Sequence, residues 1–446
     1  MKDFTTGKIS IPLMAFAVPM LIGNLFQQLY NMVDAVVVGR FVGGGALAAV
    51  GISMSVVIFL TSALIGLTTG AAVLIAQFFG AKQPDRLKKS VSVSIIFLAG
   101  LTVVLTVVGI VFAPHLLNLL GTDPEIFDDA LLYMRIMMAG LVFVVYYNMY
   151  TAYMRSLGDT KRPLYILIFS VVLSGILSIY LVAFQGMGVF GAAISTIFSQ
   201  FLAAILSYLY ARRYVPLLIV DKLTFDKKLF WQILRYGAPA ALQLSLVSLA
   251  QLLITRLINS FGYAAMAGIT AVSRIDGLAT MPVATLSLAM STFVAQNMGA
   301  KIESRAIRGF KIGTGYMLIC AVVMSAILMI FAQQIISLFL NQGDVNSPEI
   351  MAIAQQYMNI MVVFYFLFAF LFAFNGFYRG VGDAVIAMAL PVFSLLVRTV
   401  SAYALVAFAG MGPEALAWSI PIGWGLSSLA GWIYYKRRLW VGKVAT

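Results

Sequence analysis

Residues 91–113, VSVSIIFLAGLTVVLTVVGIVFA, carry no charged side chain over a length sufficient to cross a bilayer. Runs of this kind recur along the chain, and they constrain the fold more than any other feature. Inside lipid the backbone polar groups must be satisfied within the segment, so such runs are read as transmembrane helices. Cutting at about 20 apolar residues per span gives twelve. They lie near 12–38, 46–76, 91–113, 128–154, 163–184 and 189–211, then 229–259, 265–297, 312–333, 350–378, 384–408 and 415–435. With 62% hydrophobic and only 10% charged residues, the expected class is an all-α polytopic membrane protein. The polar first ten residues, MKDFTTGKIS, followed by a full-length apolar run, are unlike a cleavable signal peptide.

A net charge of +13 raises the question of nucleic acid, and the placement of the charges answers it. Of the 29 Lys and Arg, 24 fall at alternate ends of the spans: the N-terminus, the loops 81–90, 155–162 and 299–311, the linker region 212–235, Arg379 and the tail. The opposite loops carry Asp123, Glu125, Asp128 and Asp129, and Asp344 and Glu349. This is the positive-inside pattern with both termini cytoplasmic, so the excess charge reports topology and no nucleic-acid partner is expected.

The sequence is also duplicated. Pro19 matches Pro239, AQFFGAK at 76–82 matches AQNMGAK at 295–301, and RSLGD at 155–159 matches RGVGD at 379–383. PEI at 124–126 matches 348–350, and GMG at 186–188 matches 410–412, all at offsets between 219 and 224. Six spans per copy put both copies the same way up, which predicts two six-helix lobes related by a pseudo-two-fold axis along the membrane normal, with a substrate path between them. The N-terminal lobe is expected at 1–220, with a cytoplasmic linker at 212–228, and the C-terminal lobe at 221–446. No phosphate-binding G-x-x-x-x-G-K-[ST] loop is present, so any active transport must run on an ion gradient. With His115 the only histidine and Cys320 the only cysteine, neither a disulfide within the chain nor a metal cluster is expected. No nucleophile–base constellation points to an enzyme, and no cofactor is implied.

Of the sixteen acids, only Asp34 and Asp276 lie well inside spans. Asn24, Gln27, Asn31 and Asp34 recur at spacings of three, four and three and share one helical face. A polar stripe on a membrane helix faces the bundle interior or water. Interhelical hydrogen bonds explain Asn and Gln as well as function does, but a structural contact does not need an ionisable group, which favours a functional role for Asp34. Burial disfavours the charged form of a carboxylate, so such a group can take up and release a proton; alternatively it stays charged and helps hold Na⁺. Both options stay open. Tyr30 on the first span, with Tyr147 and Asn148 on the aromatic and methionine-rich fourth, are further candidates to line a substrate cavity with Asn24 and Gln27. The second half carries a different polar set, Arg256, Arg274, Asp276 and Arg398. There the simplest expectation is a salt bridge from Asp276 to an arginine, with Arg398 favoured; a basic contact for an anionic or zwitterionic substrate, or a gate, is the alternative.

AVPMLIGNLFQQLYNMVDAVVVGRF, the AQ-x-x-GAK ends of the second and eighth spans, RSLGD followed by KRP, and GMGVFGAAIST together resemble the multidrug and toxic compound extrusion (MATE) transporters over nearly the whole chain. SRIDGLATMP in the eighth span is more similar to the DinF-like branch than to the NorM-like one. The resemblance implies two lobes forming a V in a prokaryotic inner membrane, and export of organic cations in exchange for H⁺ or Na⁺ by a protein that can work as a monomer among membrane lipids. It assigns Asp34 as the cation-linked carboxylate of the first helix and Thr196 as a sixth-helix residue of the same site. Ser174 and Ser178 stand where many relatives carry Asn and Asp, and the seventh and tenth spans hold no acid. Fewer negative charges tilt the expectation from Na⁺ towards H⁺. The expected coupling site is therefore Asp34, Thr196, Ser174, Ser178 and Asn31, and the rival function is a lipid or lipid-linked oligosaccharide flippase of the same superfamily.

Overall fold

The computed structural model describes residues 2–338 and 347–444, without the side chains of Asn31 and Ser248. Asp344 therefore lies outside the described residues. Every regular element among them is helical. The first copy comprises α1 (Ser10–Phe41), α2 (Gly44–Gly80), α3 (Pro84–Val111), α4 (Ala113–Leu119), α5 (Pro124–Ala139), α6 (Leu141–Ser156), α7 (Lys161–Ser178) and α8 (Gly188–Tyr214). The second comprises α9 (Lys227–Ser260), α10 (Tyr263–Gly299), α11 (Glu303–Ser337), α12 (Ser347–Val363), α13 (Tyr365–Val381), α14 (Ala384–Ala409) and α15 (Glu414–Lys436). Among the described residues nine helices are long and apolar enough to cross a membrane, counting α7 together with the π-helical turn Ile179–Phe184 that continues it. The pairs α5 with α6 and α12 with α13, bent by 48° and 53°, raise the number to eleven. Helix α15 stands where the twelfth span is read.

The duplication is repeated in the backbone. Helices α2 and α10 each run for 37 residues. Each ends in a lysine in the left-handed region, Lys82 at φ 54° and Lys301 at φ 59°. The same hydrogen bonds close both turns: Gln83 N–H to Phe78 O at 3.0 Å, and Ile302 N–H to Asn297 O at 2.9 Å. A lysine in this conformation is uncommon, so its occurrence at both sites marks one inherited turn. The RSLGD and RGVGD motifs likewise form matching turns through Gly158 at φ 81° and Gly382 at φ 98°, where glycine avoids the clash a Cβ would bring. The bends at Gly140 and Phe364 also fall at corresponding places in the two copies.

Two compact units follow. The first is chiefly Met14–Ala241; the second is chiefly Leu242–Val444 together with Gly7–Leu13. The changeover thus falls inside α9, past the linker at which the repeat places the lobe boundary. The cause within the first unit is close packing of small residues. A Cβ on Gly66 would meet the backbone of Ala241, and one on Gly70 would meet the backbone of Gly237. Only small side chains allow helix backbones to approach this closely. In the second unit, Arg305 Nη1 donates to Gly7 O at 2.8 Å, and Ser10 is hydrogen-bonded to Tyr316. Gly70→Leu is expected to destabilise the protein by roughly 1–3 kcal/mol through overpacking. A thermal unfolding midpoint unchanged from wild type would contradict the crossing.

Candidate functional site

Asp34 lies on α1 one turn after Tyr30, and Ser178 lies on α7 one turn after Ser174, so each pair shares a helical face. The two faces meet as a ladder. Ser174 Oγ donates to Tyr30 Oη at 3.2 Å, and Ser178 Oγ donates to Asp34 Oδ1 at 3.3 Å. From α8, Thr196 Oγ1 and Tyr30 Oη share a hydrogen bond of 2.7 Å. The three aliphatic hydroxyls are buried, at 3%, 1% and 8% exposure for Ser174, Ser178 and Thr196. Ser170 extends the serine stripe of α7 by a turn, donating to Ser199 O on α8 at 3.2 Å. The α7 helix changes to a π-turn immediately after Ser178, a local irregularity that is frequent at functional positions.

Four of the five expected coupling-site residues, Asp34, Thr196, Ser174 and Ser178, are thereby brought together on adjoining turns, with Tyr30 bridging Ser174 and Thr196 and with Ser178 bonded to Asp34. The side chain of the fifth, Asn31, lies outside the described residues. Tyr133 of α5, 2% exposed, stands within electrostatic range of Asp34 and Tyr30, and no pattern in its own stretch of sequence marks it. Among the described residues the only ion pair is Arg438 with Glu303, so no cation neutralises Asp34. Nor do three or more His, Cys, Asp or Glu gather anywhere among them to hold a metal ion. Asp34 has one hydroxyl partner, Ser178, and the hydroxyls of Tyr30, Ser174 and Thr196 lie a turn away; such neutral oxygens can either bond a protonated carboxyl or coordinate a hard cation beside one charged group.

The wider cavity expectation is only partly assembled. On α1, Gln27 is half-buried and Asn24 exposed, towards the helix N-terminus from Tyr30. On α6, Asn148 spends its amide on Val144 O at 2.8 Å, and Tyr147 is buried within reach of Arg155. No hydrogen bond among the described residues joins either to the Asp34 group.

The second unit corrects the salt-bridge expectation. Asp276 has no arginine within ion-pair distance; its Oδ1 accepts from Tyr365 Oη at 2.9 Å. Arg398 Nη2 instead donates to Tyr357 Oη at 3.3 Å. Two tyrosines therefore stand between the charges, one on each side of the bend between α12 and α13. Arg398 Nε is buried without a partner. Arg256 and Arg274 do not join this cluster: both are exposed, with neither a hydrogen bond nor an ion pair among the described residues.

A duplicated bundle of membrane-length helices enclosing an unpaired carboxylate and a ladder of hydroxyls defines a polytopic helical transporter. Comparison with known proteins gives the particular family. The MatE family profile matches residues 19–181 and 239–404, once in each copy. The chain is 31% identical over 389 residues to the probable multidrug resistance protein YoeA of Bacillus subtilis (strain 168), covering 85% of this chain and 83% of that protein. It is 28% identical over 440 residues to the probable multidrug resistance protein YpnP of the same strain, covering 98% and 97%. A solved outward-facing structure of a multidrug resistance MATE family transporter of the MOP superfamily superposes with a TM-score of 0.91 at 22% identity, over 98% of this chain and 97% of that one. The chain belongs to the MatE family of membrane transporters.

Proposed function

We propose that this protein is a multidrug efflux antiporter of the cytoplasmic membrane, exporting small organic cations in exchange for protons. The observation that carries this reading is Asp34 itself, a carboxylate inside a membrane helix with a single hydroxyl donor at 3.3 Å and no cationic partner among the described residues. Asp34 is half-buried, and an unpaired charge partly removed from water is costly, so the group is neutralised by a proton or a metal cation, and what neutralises it in one state is released in the other. Uptake of a proton ends the charge that holds an organic cation in the lobe and changes the hydrogen bond from Ser178, one turn along α7 from the Ser174, Tyr30 and Thr196 group. With one carboxylate against several neutral hydroxyls, the site suits H⁺ better than Na⁺. Reconstituted protein given a pH gradient alone should move a fluorescent organic cation, and a Na⁺ gradient alone should not; the opposite pattern would replace the proton by sodium.

A second reading, a flippase for a lipid or lipid-linked oligosaccharide, draws on Arg256 and Arg274, whose exposed and unpaired charges suit an anionic headgroup. It requires headgroup translocation in liposomes that is lost in Arg256→Gln/Arg274→Gln and indifferent to Asp34.

A further inference from the structure

The first unit contains a cavity of about 510 Å³ between α3, α6 and α8, lined by none of the Asp34 ladder residues. Phe143 and Tyr150 of α6 pair edge to face with Phe201 and Tyr208 of α8, at 5.0 and 6.0 Å between ring centroids, so that with Tyr146 they form one aromatic side of the cavity, and no acidic residue lines it. On α8, Phe201 and Tyr208 are seven residues apart, as are Phe143 and Tyr150 on α6, so the aromatic side runs for about 10 Å at the helical rise per residue. That is most of the depth of one leaflet, roughly half of a 30 Å hydrocarbon core.

The cavity has a built roof. Ile219, Val220 and Leu223 of the linker close one end. Val215 and Leu218 are buried, at 1% and 0% exposure. Ser92 of α3 pins the next residues, donating to Thr224 O at 2.9 Å and accepting from Thr224 N–H at 2.6 Å. The linker is therefore a fixed cover on the first unit as well as a tether. It occurs once in the chain, so the duplication supplies no second roof.

Basic residues continue the lining faces of both helices towards this roofed end. On α8 the lining face runs from Tyr208 to Arg212, one turn on; on α3 it runs from Ile95 back through Ser92 to Lys88. Lys222 adjoins Leu223 in the roof. Arg212 and Lys222 are exposed and Lys88 is half-buried, against Asp221 as the acid within the roof. We infer that this cavity is a specific site for an anionic phospholipid, with one acyl chain lying along the aromatic side and the phosphate at Lys88, Arg212 and Lys222. An aromatic side alone would also suit an organic cation, but three positive groups beside the roof repel one, whereas juxtamembrane cations attract anionic headgroups.

The test is native mass spectrometry of the full-length protein titrated with phosphatidylglycerol or with phosphatidylcholine of the same chains. Wild type is expected to retain phosphatidylglycerol at concentrations at least roughly tenfold lower. Lys88→Glu/Arg212→Glu/Lys222→Glu, which changes only headgroup contacts, should reduce this to the phosphatidylcholine level. Ala204→Trp, which fills the cavity from α8, should weaken both lipids, with its unfolding midpoint confirming that it folds. Equal retention of the two lipids by wild type, or phosphatidylglycerol retention unmoved by the triple substitution, would overturn the assignment. So would competitive displacement of the lipid by ethidium in place of headgroup selectivity, which would give the cavity to cations.

Discussion

Asp34→Asn is expected to abolish gradient-driven efflux of organic cations while leaving the protein folded. Asparagine keeps the shape and still accepts from Ser178 Oγ, which lies 3.3 Å from Asp34 Oδ1 in the wild type, but it cannot exchange a charge for a proton. The loss should therefore reach the background of empty liposomes, with an unfolding midpoint close to wild type. Asp34→Glu should retain part of the flux, because the ionisable group survives while its reach to the ladder changes. Ser178→Ala and Tyr30→Phe separate coupling from architecture. Each removes one hydroxyl and about 0.5–1.5 kcal/mol of net hydrogen bonding, so each should slow transport several-fold without ending it. Transport assays under an imposed pH gradient decide the matter: full efflux by Asp34→Asn would remove the carboxylate from the mechanism.

This prediction could be framed from the sequence because the physics at Asp34 is local. An acid inside an apolar run is conspicuous, and the three–four–three spacing of its polar neighbours reports a shared helical face without any knowledge of what that face touches. The spans and the duplication were legible for the same reason: an apolar run of membrane length and a motif repeated at offsets of 219 to 224 are properties of the chain itself. They reappear as membrane-length helices and as the left-handed lysines 82 and 301.

What could not be read is what depends on partners distant in sequence. Tyr133 reaches the Asp34 neighbourhood from α5, in a stretch where an aromatic residue carries no signal beyond burial. The changeover between units inside α9 depends on Gly66 and Gly70 meeting Ala241 and Gly237, and glycines on a membrane helix do not announce which helix they admit. Asp276 and Arg398 illustrate the point most clearly. Opposite charges inside two spans of the same half suggest a salt bridge, yet tyrosines contributed by the tenth span take both hydrogen bonds.

That arrangement makes the second large prediction. Asp276, Tyr365, Tyr357 and Arg398 join α10, α13, α12 and α14 around the 53° bend of the tenth span. The guanidinium donates through Nη2 while its Nε is buried without a partner, so the nearby carboxylate is the compensating charge for an incompletely satisfied cation. Asp276 and Arg398 are both half-buried, so removing one member destabilises by less than the roughly 3–5 kcal/mol of a fully buried pair. Asp276→Asn should therefore lower the unfolding midpoint more than Tyr365→Phe, which removes a hydrogen bond but no charge. Arg398→Met alone should also destabilise, since it strands the carboxylate. The double variant Asp276→Asn/Arg398→Met, with both charges gone, should be more stable than either single one, because replacing both members by uncharged side chains of similar size removes the desolvation cost along with the attraction. Additive losses in that double-mutant cycle would mean that the charges do not sense one another across the tyrosines. Recovery would mean that the bend of the tenth span is held by a coupled charge network in which Tyr357 and Tyr365 mediate what a direct ion pair would otherwise do.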